Sequence, residues 1–314
     1  MIKRFKPQPV NLSVHRALPA RFRRPRGLII GCGDIGLRVV RQLAGRMRLY
    51  ALSSSLQRLP VLRQAGVTPI LGNLDEPRSL KRLAGLAPRI LHLAPPGAYA
   101  GQDLRTRHLL PRLYRYATPQ ALVYASTSGV YGDCQGRRID ETQPCHPSTA
   151  RAQRRVDAEG QLRHWGRMTA LRVSLLRVPG IYAPDREGGT PRERLLRGTP
   201  ALCEADDVYT NHIHADDLAC ACIAAWWRGR AQRAVNVCDD TELKMGAYFD
   251  LAAQLYGLPP PKRITRQQAE AQLSPTLLSF MSESRRLSNL RMKQELRLRL
   301  RYPDVSSGLM CSGA

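Results

Sequence analysis

The sequence predicts an α/β fold, in which a doubly wound parallel sheet is followed by a small, mostly helical lobe. Two observations support this prediction. Short apolar segments alternate with amphipathic ones between residues 27 and 178, and this pattern loosens after Pro179. Strand–helix alternation with short loops is typical of parallel sheets that helices cover on both faces. The length of 314 residues fits one large domain or two closely fused ones.

Each predicted element follows from local periodicity. Residues 27–31 form a continuous apolar run, which is typical of a strand buried on both faces. Residues 34–45 place Ile35, Val39 and Leu43 on one helical face. Further strands are predicted at 48–53, 67–71, 90–94, 121–126 and 169–178, and further helices at 56–65, 77–86, 102–116 and 151–165. Helices of the lobe are predicted at 216–227, 243–256, 266–273 and 275–286, and a strand at 234–237.

Composition and pattern divide the chain into three parts. Residues 1–26 hold eight basic residues, no acidic residue and four prolines, so we predict a disordered basic arm. This arm lacks the apolar stretch of a secretory signal, whereas an organelle transit peptide stays an open alternative. Residues 27–178 are predicted to form the sheet domain. Residues 179–314 are predicted to form the C-terminal lobe, some segments of which return to the sheet domain.

The charge balance is strongly basic. The chain has 49 Lys and Arg against 25 Asp and Glu, a net charge of +24, and such an excess is typical of proteins that meet nucleic acid or an anionic surface. The excess is uneven, because the arm alone supplies eight positive charges. We therefore expect no specific nucleic-acid partner. Since no run of about 18 apolar residues occurs, we also expect no membrane span.

The eight cysteines include no Cys-x-x-Cys pair, and the closest spacing is Cys220-x-Cys222. That spacing fits neither a zinc ribbon nor a disulfide-stapled miniature fold. Most of the cysteines lie in apolar surroundings, so we predict reduced thiols in a cytoplasmic protein. No cluster of His, Cys, Asp and Glu has metal-ligand spacing, and no metal site is predicted.

The strongest motif is a glycine-rich segment that follows the first strand and opens the first helix. Its glycines have separate tasks: one makes a tight turn, one lets the backbone approach a pyrophosphate, and one allows close helix–strand packing. Free N–H groups at the helix start bind phosphates. The motif predicts a Rossmann-type NAD(P) site, with an ordinary glycine turn as the alternative. The predicted loop consists of Gly31, Cys32, Gly33, Asp34, Ile35 and Gly36.

The choice between NAD and NADP is set near the end of the second strand. A carboxylate about 20 residues beyond the glycines accepts hydrogen bonds from the ribose of NAD. No Asp or Glu lies between Asp34 and Asp75, whereas Ser53 and Ser54 end the strand and Arg58 follows. Hydroxyls and a guanidinium suit a 2′-phosphate better, so NADP is favoured. The alternative is that the serines form an ordinary loop and that Arg58 is a solvated helix residue.

Several ordered segments give the chain a family resemblance. They are Gly72-Asn73-Leu74-Asp75, His92-Leu93-Ala94-Pro95-Pro96, Val123 to Gly132, Arg177 to Pro184, and Asn211 to Leu218. Together with the glycine loop they resemble the extended branch of the short-chain dehydrogenase/reductase superfamily, close to its NAD-dependent epimerase/dehydratase group and to atypical bacterial members. The resemblance implies that Asn73 and Leu74 lie at the adenine side of the cofactor. It also implies that His92, Leu93, Ala94 and Pro95 run beside the ribose and nicotinamide.

The resemblance places catalytic groups at two positions. Thr127 falls where the family keeps an active-site Ser or Thr, and the alternative is a strand-end threonine that caps a turn. The family's acid/base motif Tyr-x-x-x-Lys occurs nowhere in the chain; Arg151 and Arg155 stand at its two positions. An arginine keeps its proton at physiological pH, so Arg151 cannot exchange protons as a phenol does. Arg155 can hold the ribose or supply positive potential.

Two functions from different classes follow from these residues. The first is an NAD(P)-dependent oxidoreductase or epimerase/dehydratase-like enzyme that acts on a small polar substrate held by the C-terminal lobe. The second is a catalytically inactive NAD(P)-binding protein with a regulatory or redox-sensing role, which the missing Tyr-x-x-x-Lys motif favours. A fold of this type hosts unrelated chemistries, so the fold alone does not decide between them. The resemblance also implies a homodimer.

Overall fold

A seven-stranded parallel sheet with helices on both faces forms the centre of the computed structural model, which describes residues 24–98, 101–115 and 117–310. The predicted doubly wound α/β fold is therefore confirmed. Residues 1–23 of the predicted basic arm lie outside the described residues, and Arg26 already belongs to the first strand. None of the helices in the described part of the chain is long and apolar enough to cross a membrane.

Strands and helices are numbered in chain order. The strands are β1 (Arg26–Ile30), β2 (Arg48–Ser53), β3 (Thr68–Leu71), β4 (Arg89–His92), β5 (Ala121–Thr127), β6 (Arg138–Ile139), β7 (Arg172–Val178), β8 (Gly180–Tyr182), β9 (Ala201–Leu202), β10 (Tyr209–Thr210), β11 (His212–His214), β12 (Arg233–Asn236), β13 (Leu243–Lys244), β14 (Arg263–Ile264) and β15 (Arg286–Leu287). The α-helices are α1 (Asp34–Leu43), α2 (Leu59–Gln64), α3 (Leu104–Leu113), α4 (Ala150–Met168), α5 (Arg192–Leu196), α6 (Ala215–Arg228), α7 (Met245–Tyr256), α8 (Arg266–Gln272), α9 (Pro275–Phe280), α10 (Leu290–Glu295) and α11 (Val305–Met310). Short 3-10 helices occupy Leu56–Arg58, Pro77–Leu83 and Ser128–Tyr131.

The order of the central strands locates the crevice of the sheet. The strands lie in the order β12-β7-β5-β4-β1-β2-β3, so the chain first builds outward from β1 to β3 and then in the other direction from β4 to β12. The direction changes between β1 and β4, where Ile30 pairs with His92. In doubly wound sheets, the crevice beyond the carboxyl ends of the strands at such a point binds ligands.

Two apolar layers cover the sheet. Val39 of α1 and Trp226 of α6 belong to the cluster on one face, whereas Leu109 of α3 and Leu162 of α4 belong to the cluster on the other. The strand between them, β1, buries the side chains of residues 28–30 completely. The continuous apolar run of β1 therefore reflects cover on both faces.

Most predicted boundaries agree with the structure within a few residues, and three segments differ. The helix predicted at 275–286 ends at Phe280, where Met281 N donates to the Leu278 carbonyl, and Arg286 already belongs to β15. Residues 77–86, predicted as a helix, form a 3-10 helix that ends at Leu83. There Ser79 Oγ donates to the carbonyl of Glu76 and accepts from Asn73 N, and such bonds compete with α-helical pairing. The strand predicted at 169–178 begins only at Arg172, because Thr169 ends α4 with its hydroxyl bonded to the Trp165 carbonyl.

The C-terminal lobe packs around an apolar cluster of its own. Tyr182, Met245 and Phe249 belong to this cluster, which α11 closes through Leu309. Strands of two or three residues form the ladders β10–β13, β11–β8, β14–β9 and β15–β6, while β12 returns to the central sheet. The ladders were not predicted, because two or three residues are too few to show an alternating pattern.

Two adjacent tryptophans at the end of α6 offer a test of this packing. Trp226 is fully buried and its Nε1 donates to the Ile90 carbonyl at 2.8 Å, whereas Trp227 is 44 % exposed. Trp226→Ala should therefore lower the free energy of unfolding by about 3–5 kcal/mol through the cavity it leaves. Trp227→Ala, the matched control, should cost at most about 1 kcal/mol. Urea unfolding of both variants measures this, and equal losses would contradict the packing.

Candidate functional site

The glycine loop joins β1 to α1 at the point where the strand order changes direction. Gly31 has φ +81°, and a Cβ atom there would lie 2.5 Å from the backbone nitrogen of Ala94, so only glycine fits. At Gly36 a Cβ atom would lie 3.0 Å from Cys32 Sγ, which reflects tight packing of α1 on the loop. A Cβ atom on Gly33 would meet nothing within 4 Å. The loop is therefore tight on its inner side and open at Gly33.

The start of α1 is suited to an anion. Gly33 is the N-cap residue, and no side chain caps the first N–H groups of the helix. The carboxylate of Asp34, in the first turn, is held by Arg38 Nε at 3.0 Å and by Arg186 Nε at 3.1 Å. Uncapped N–H groups and the positive end of the helix dipole together form a binding site for phosphate. Burial raises the pKa of the neighbouring Cys32 thiol to about 11, so this side chain stays protonated.

The residues predicted to choose the cofactor lie beside this loop. Ser53 ends β2, and its Oγ accepts a hydrogen bond from Ser55 N at 3.2 Å. Ser54 is exposed. Arg58 is also exposed, and its Nη2 donates to the carbonyl of Cys32 at 2.8 Å. The structure thus brings the guanidinium of Arg58 onto the glycine loop.

The turn after β3 is fixed by bonds to α3. Asn73 Oδ1 accepts from Asp75 N at 3.0 Å, and the carbonyl of Leu74 lies 2.9 Å from His108 Nδ1. Arg105 pairs with the Asp75 carboxylate at 2.7 Å and lowers the pKa of Asp75. Asn73 and Leu74 therefore belong to a rigid turn at the carboxyl edge of the sheet, two strands from the glycine loop.

The segment after β4 closes the glycine loop from the other side. Leu93 N and Ala94 N both donate to the Ile30 carbonyl, at 2.8 and 3.0 Å, and Pro95 follows at the surface. His92 is buried, with its Nε2 3.2 Å from Thr106 Oγ1. Burial, together with the charges of Arg155 and Arg105, lowers the pKa of His92 to about 3. The imidazole is therefore neutral at physiological pH.

A cavity of about 550 Å³ opens between the carboxyl edge of the sheet and the lobe. Leu93, Thr127 and Arg155 line it from the sheet side, and Ile35 reaches it from α1. The structure therefore places the two predicted catalytic residues in one cavity. The residues of the glycine loop other than Ile35, together with Ser53, Ser54 and Arg58, lie outside its lining. The predicted cofactor groove, at the glycine loop, thus adjoins the cavity through Ile35.

Thr127 and Arg155 both hydrogen-bond to nearby groups. Thr127 Oγ1 accepts from Gly129 N at 3.2 Å and so caps the 3-10 helix that follows β5. Arg155 Nη1 donates to the Tyr124 hydroxyl at 3.0 Å and to the Ala125 carbonyl at 2.6 Å. Its guanidinium carbon lies 5.3 Å from the centre of the Tyr124 ring. Both side chains are held by β5, and both still reach the cavity.

Positive charge dominates the cavity wall. Arg151 lies against the Phe280 ring at 5.3 Å, and Arg194 against the Phe249 ring at 5.9 Å. Of the arginines that line the cavity, Arg285 forms an ion pair with a carboxylate of the described residues, that of Glu283, at 2.7 Å. Burial lowers the pKa of Arg194, which marks a charge placed against apolar surroundings. The cavity therefore favours an anionic occupant.

Sequence reasoning missed the residues that the lobe contributes to the cavity. Arg194 lies on the short helix α5, Tyr248 on α7, and Arg285 just before β15. Tyr248 packs against His212 with ring centres 4.1 Å apart. None of these side chains belongs to a local motif. They come together only when the lobe folds over the sheet, and the sequence carries no signal of that contact. Among the described residues, no group of three His, Cys, Asp or Glu side chains could hold a metal ion.

The fold and the glycine loop define an α/β protein of the dinucleotide-binding type. Residues 28–238 match the model of the NAD dependent epimerase/dehydratase family, about two thirds of the chain, and the chain belongs to this family. The resemblance found in the sequence is thereby confirmed. A search of curated proteins found no match.

Solved structures show the same architecture. A conserved protein of Silicibacter pomeroyi, described as functionally unknown, is 30% identical with a TM-score of 0.76; the match covers 91% of this chain and 97% of that one. The UDP-glucose 4-epimerase of Thermotoga maritima, solved with UDP-glucose, is 17% identical with a TM-score of 0.73 and coverages of 91% and 96%. The UDP-glucose 4-epimerase of Thermus thermophilus in complex with NAD is 21% identical with a TM-score of 0.71 and the same coverages.

Buried histidines predict a pH dependence of stability. Burial is the main cause that lowers the pKa of His92 to about 3 and of His212 to about 4, whereas an unfolded imidazole binds its proton near 6.5. The unfolded state therefore binds more protons as the pH falls from about 6.5 to about 4. Each ring should reduce the free energy of unfolding by about 1.4 kcal/mol per pH unit in that range.

Urea unfolding at several pH values measures this slope. His212→Phe keeps a ring against Tyr248 and should make the decline shallower by about 1.4 kcal/mol per pH unit. His146→Phe, at an exposed position, is the control and should leave the slope unchanged. Identical slopes for the wild type and the His212 variant would contradict the neutral buried ring.

Proposed function

We propose that this chain is an NAD(P)-dependent oxidoreductase or epimerase/dehydratase-like enzyme that acts on a small anionic substrate. One observation carries the proposal: the glycine loop is open at Gly33 and adjoins, through Ile35, the cavity that Thr127 and Arg155 line. Membership of the epimerase/dehydratase family agrees with it. The neighbours from Thermotoga maritima and Thermus thermophilus are described with UDP-glucose and with NAD, respectively.

The residues present fit a dinucleotide. The uncapped N–H groups of α1 and the open side of Gly33 would hold the pyrophosphate. Asn73 and Leu74 would border the adenine, and the segment from His92 to Pro95 the ribose and nicotinamide. When bound, the cofactor supplies hydride transfer. The neutral state of His92 keeps a further positive charge away from the nicotinamide side of the site.

NADP is the cofactor we propose. Ser53, Ser54 and Arg58 lie at the end of β2, and Arg58 already contacts the glycine loop. The sequence has no carboxylate between Asp34 and Asp75 to bind the ribose hydroxyls of NAD. A guanidinium is suited to a 2′-phosphate, because it forms two parallel charge-assisted hydrogen bonds with phosphate oxygens.

Thr127 and Arg155 would divide the chemistry between them. Thr127 would hydrogen-bond the reacting oxygen of the substrate from its place at the end of β5. Arg155 would supply a fixed positive charge that stabilises developing negative charge, because Tyr124 and Ala125 hold its guanidinium in place. It cannot exchange a proton. A bound water or another side chain would carry the proton.

The substrate is proposed to be anionic because of the cavity wall. Arg151 and Arg194 have no ion pair with a described carboxylate and face the same cavity, so a phosphate or carboxylate group would compensate their charge. Arg151 stands at the position of the family tyrosine, which makes it an anchor rather than an acid/base group. A nucleoside diphosphate sugar is one ligand of this class.

A second function is favoured by the missing Tyr-x-x-x-Lys motif. The chain would then bind NAD(P) without turnover and act as a regulatory or redox-sensing protein. The two functions share the cofactor groove and differ only in whether the cavity carries out chemistry. A cytoplasmic location is also proposed, supported by the free thiols of the described cysteines. The homodimer implied by the resemblance stays a prediction.

Gly33→Val tests the cofactor groove. The valine side chain would enter the open space beside the glycine loop and exclude a pyrophosphate. The affinity for NADPH, measured by titration, should fall at least tenfold, or about 1.4 kcal/mol. Gly160→Val, in open space on α4, is the control and should leave the affinity unchanged. An unchanged dissociation constant in the folded Gly33 variant would contradict the pyrophosphate site at the glycine loop. Tighter binding of NADH than of NADPH by the wild type would contradict the assignment of NADP.

Thr127→Ala tests the chemistry with UDP-glucose and UDP-glucuronic acid as probes and NADP as cofactor. Loss of an oriented donor should lower kcat by about 10²-fold, while the affinity for NADPH stays the same. Thr118→Ala, exposed in the loop before β5, is the control and should retain full turnover. Appearance of NADPH follows a net oxidation of the sugar. Chromatographic separation of the sugar nucleotides follows an epimerisation or dehydration, in which the hydride returns to the substrate and no net NADPH forms. Turnover that survives Thr127→Ala unchanged would remove the catalytic assignment and favour the binding protein.

The family pair provides a second readout of the same chemistry. Arg151→Tyr combined with Arg155→Lys restores a phenol beside an ammonium group, which together exchange protons near neutral pH. A positioned acid/base contributes about 10²–10⁴-fold, so turnover should rise clearly above that of the wild type. The gain should disappear when Thr127→Ala is added. Absence of any gain would show that another group carries the proton.

A further inference from the structure

A row of arginines lies at the edge of the sheet opposite to the cavity. Five of the seven central strands begin with an arginine, namely Arg26, Arg48, Arg89, Arg172 and Arg233. The register brings four of them to within one residue of the same level: Arg26 pairs with Arg48, Arg89 pairs with Gly27, and Ala121 lies between Arg89 and Arg172. Arg233 pairs with Ser174, two residues beyond Arg172. Adjacent strands are about 4.8 Å apart, so the five steps from β12 to β2 span about 24 Å.

The connections at the same edge add positive charge and no negative charge. The segments that lead from a helix into the next central strand, residues 44–47, 65–67, 84–88, 114–120, 169–171 and 229–232, contain no Asp or Glu. They contribute the exposed Arg46 and Arg230. We call the arginine edge the set of Arg26, Arg46, Arg48, Arg89, Arg172, Arg230 and Arg233. Within this set, Arg230 and Arg233 form ion pairs with a carboxylate of the described residues, that of Glu295 on α10.

Compensation of helix dipoles does not account for this charge. α1, α2, α3, α4 and α6 end at this edge, and each C-terminus is equivalent to about −0.5 charge, roughly −2.5 together. The arginine edge carries seven positive charges against Glu295, and further arginines such as Arg41 and Arg228 lie in the last helical turns. About three or more positive charges therefore stay uncompensated by the fold.

An aromatic ring accompanies the arginines. The guanidinium carbon of Arg89 lies 3.8 Å from the ring centre of Trp227, which is 44 % exposed. Arg172 Nη2 donates to the Trp226 carbonyl at 2.8 Å, so it is held close to Arg89. Basic side chains next to an exposed aromatic ring are the features by which proteins bind nucleic acid strands without reading their sequence.

We propose that the arginine edge binds the phosphate backbone of a nucleic acid in a sequence-independent manner. The row follows the edge of the sheet, and its length of about 24 Å corresponds to about seven nucleotides of a helical strand at 3.4 Å each. A nucleic acid strand carries its negative charges along a line, so it fits such a row better than the compact acidic surface of a protein does. The arginine edge and the cofactor groove lie at opposite ends of the strands. The two binding events should therefore be independent, and no base-specific contact is required.

The test uses the full chain and a fluorescent polyuridine RNA of about 20 nucleotides, with duplex DNA of equal length in parallel. The triple variant Arg26→Gln, Arg46→Gln, Arg48→Gln removes three exposed arginines of the edge. Its affinity in fluorescence anisotropy should fall at least tenfold. The slope of log affinity against log salt should decrease by about 2–3, because each lost phosphate contact releases about 0.7–0.9 fewer counterions. Residues 1–23 are kept in every variant.

A matched control separates place from net charge. Arg192→Gln, Arg197→Gln, Lys262→Gln removes three exposed basic side chains of the lobe and should change the affinity by less than about twofold. NADPH affinity and melting temperature should be equal in both variants; if the edge variant does not fold, single Arg26→Gln and Arg48→Gln variants should each lower the slope by about one. Three outcomes would each overturn the proposal. The edge and control variants could lose equal affinity, or the wild type could bind neither RNA nor DNA at about 0.15 M salt. The third outcome is tighter binding to phosphatidylserine vesicles than to RNA.

Discussion

The charge of Arg38 has to be compensated inside the protein, because its side chain is only 3 % exposed. Three carboxylates do so: Asp34 at 3.0 Å, Asp185 at 2.6 Å and Asp216 at 2.6 Å. These residues belong to α1, to the loop after β8 and to α6. Removing one partner of a buried ion pair leaves a costly uncompensated charge. This single guanidinium therefore connects α1, which follows the glycine loop, to the loop after β8 and to α6.

Pairing of buried charges also fixes the residues at the carboxyl end of β5. Arg177 and Glu159 are buried and paired at 2.8 Å, and Ser126 Oγ donates to Glu159 at 2.6 Å. The pair joins β7, α4 and β5 directly beside Thr127. Asp217 then accepts hydrogen bonds from Arg301 N and Tyr302 N, both at 2.9 Å, which fixes the last part of the chain on α6. Buried charges that are paired in this way lock the sheet and the lobe into one arrangement and so shape the cavity.

Features set by local pattern could be predicted from the sequence, and features set by long-range contact could not. β2 agrees with its prediction at both ends, and the glycine loop was found because its residues are contiguous. Thr127 and Arg155 were placed through motif segments near them in the chain. Arg194 and Arg285 were missed, because they reach the cavity from lobe segments without a motif. The 3-10 helix Pro77–Leu83 was predicted as an ordinary helix, since the competing hydroxyl of Ser79 leaves no trace in the apolar pattern.

Arg155 brings a positive charge to the cavity wall from a fixed position. Arg155 donates to the Tyr124 hydroxyl and to the Ala125 carbonyl, so its guanidinium is fixed on β5 while part of it lines the cavity. A guanidinium stays charged at any physiological pH. The potential it produces is therefore constant, and it favours an anion whether or not the cavity carries out chemistry. Arg151 and Arg194 act in the same sense. Binding of an anion next to the cofactor groove is thus the property that the enzyme and the regulatory protein would share, and proton transfer is the step that distinguishes them.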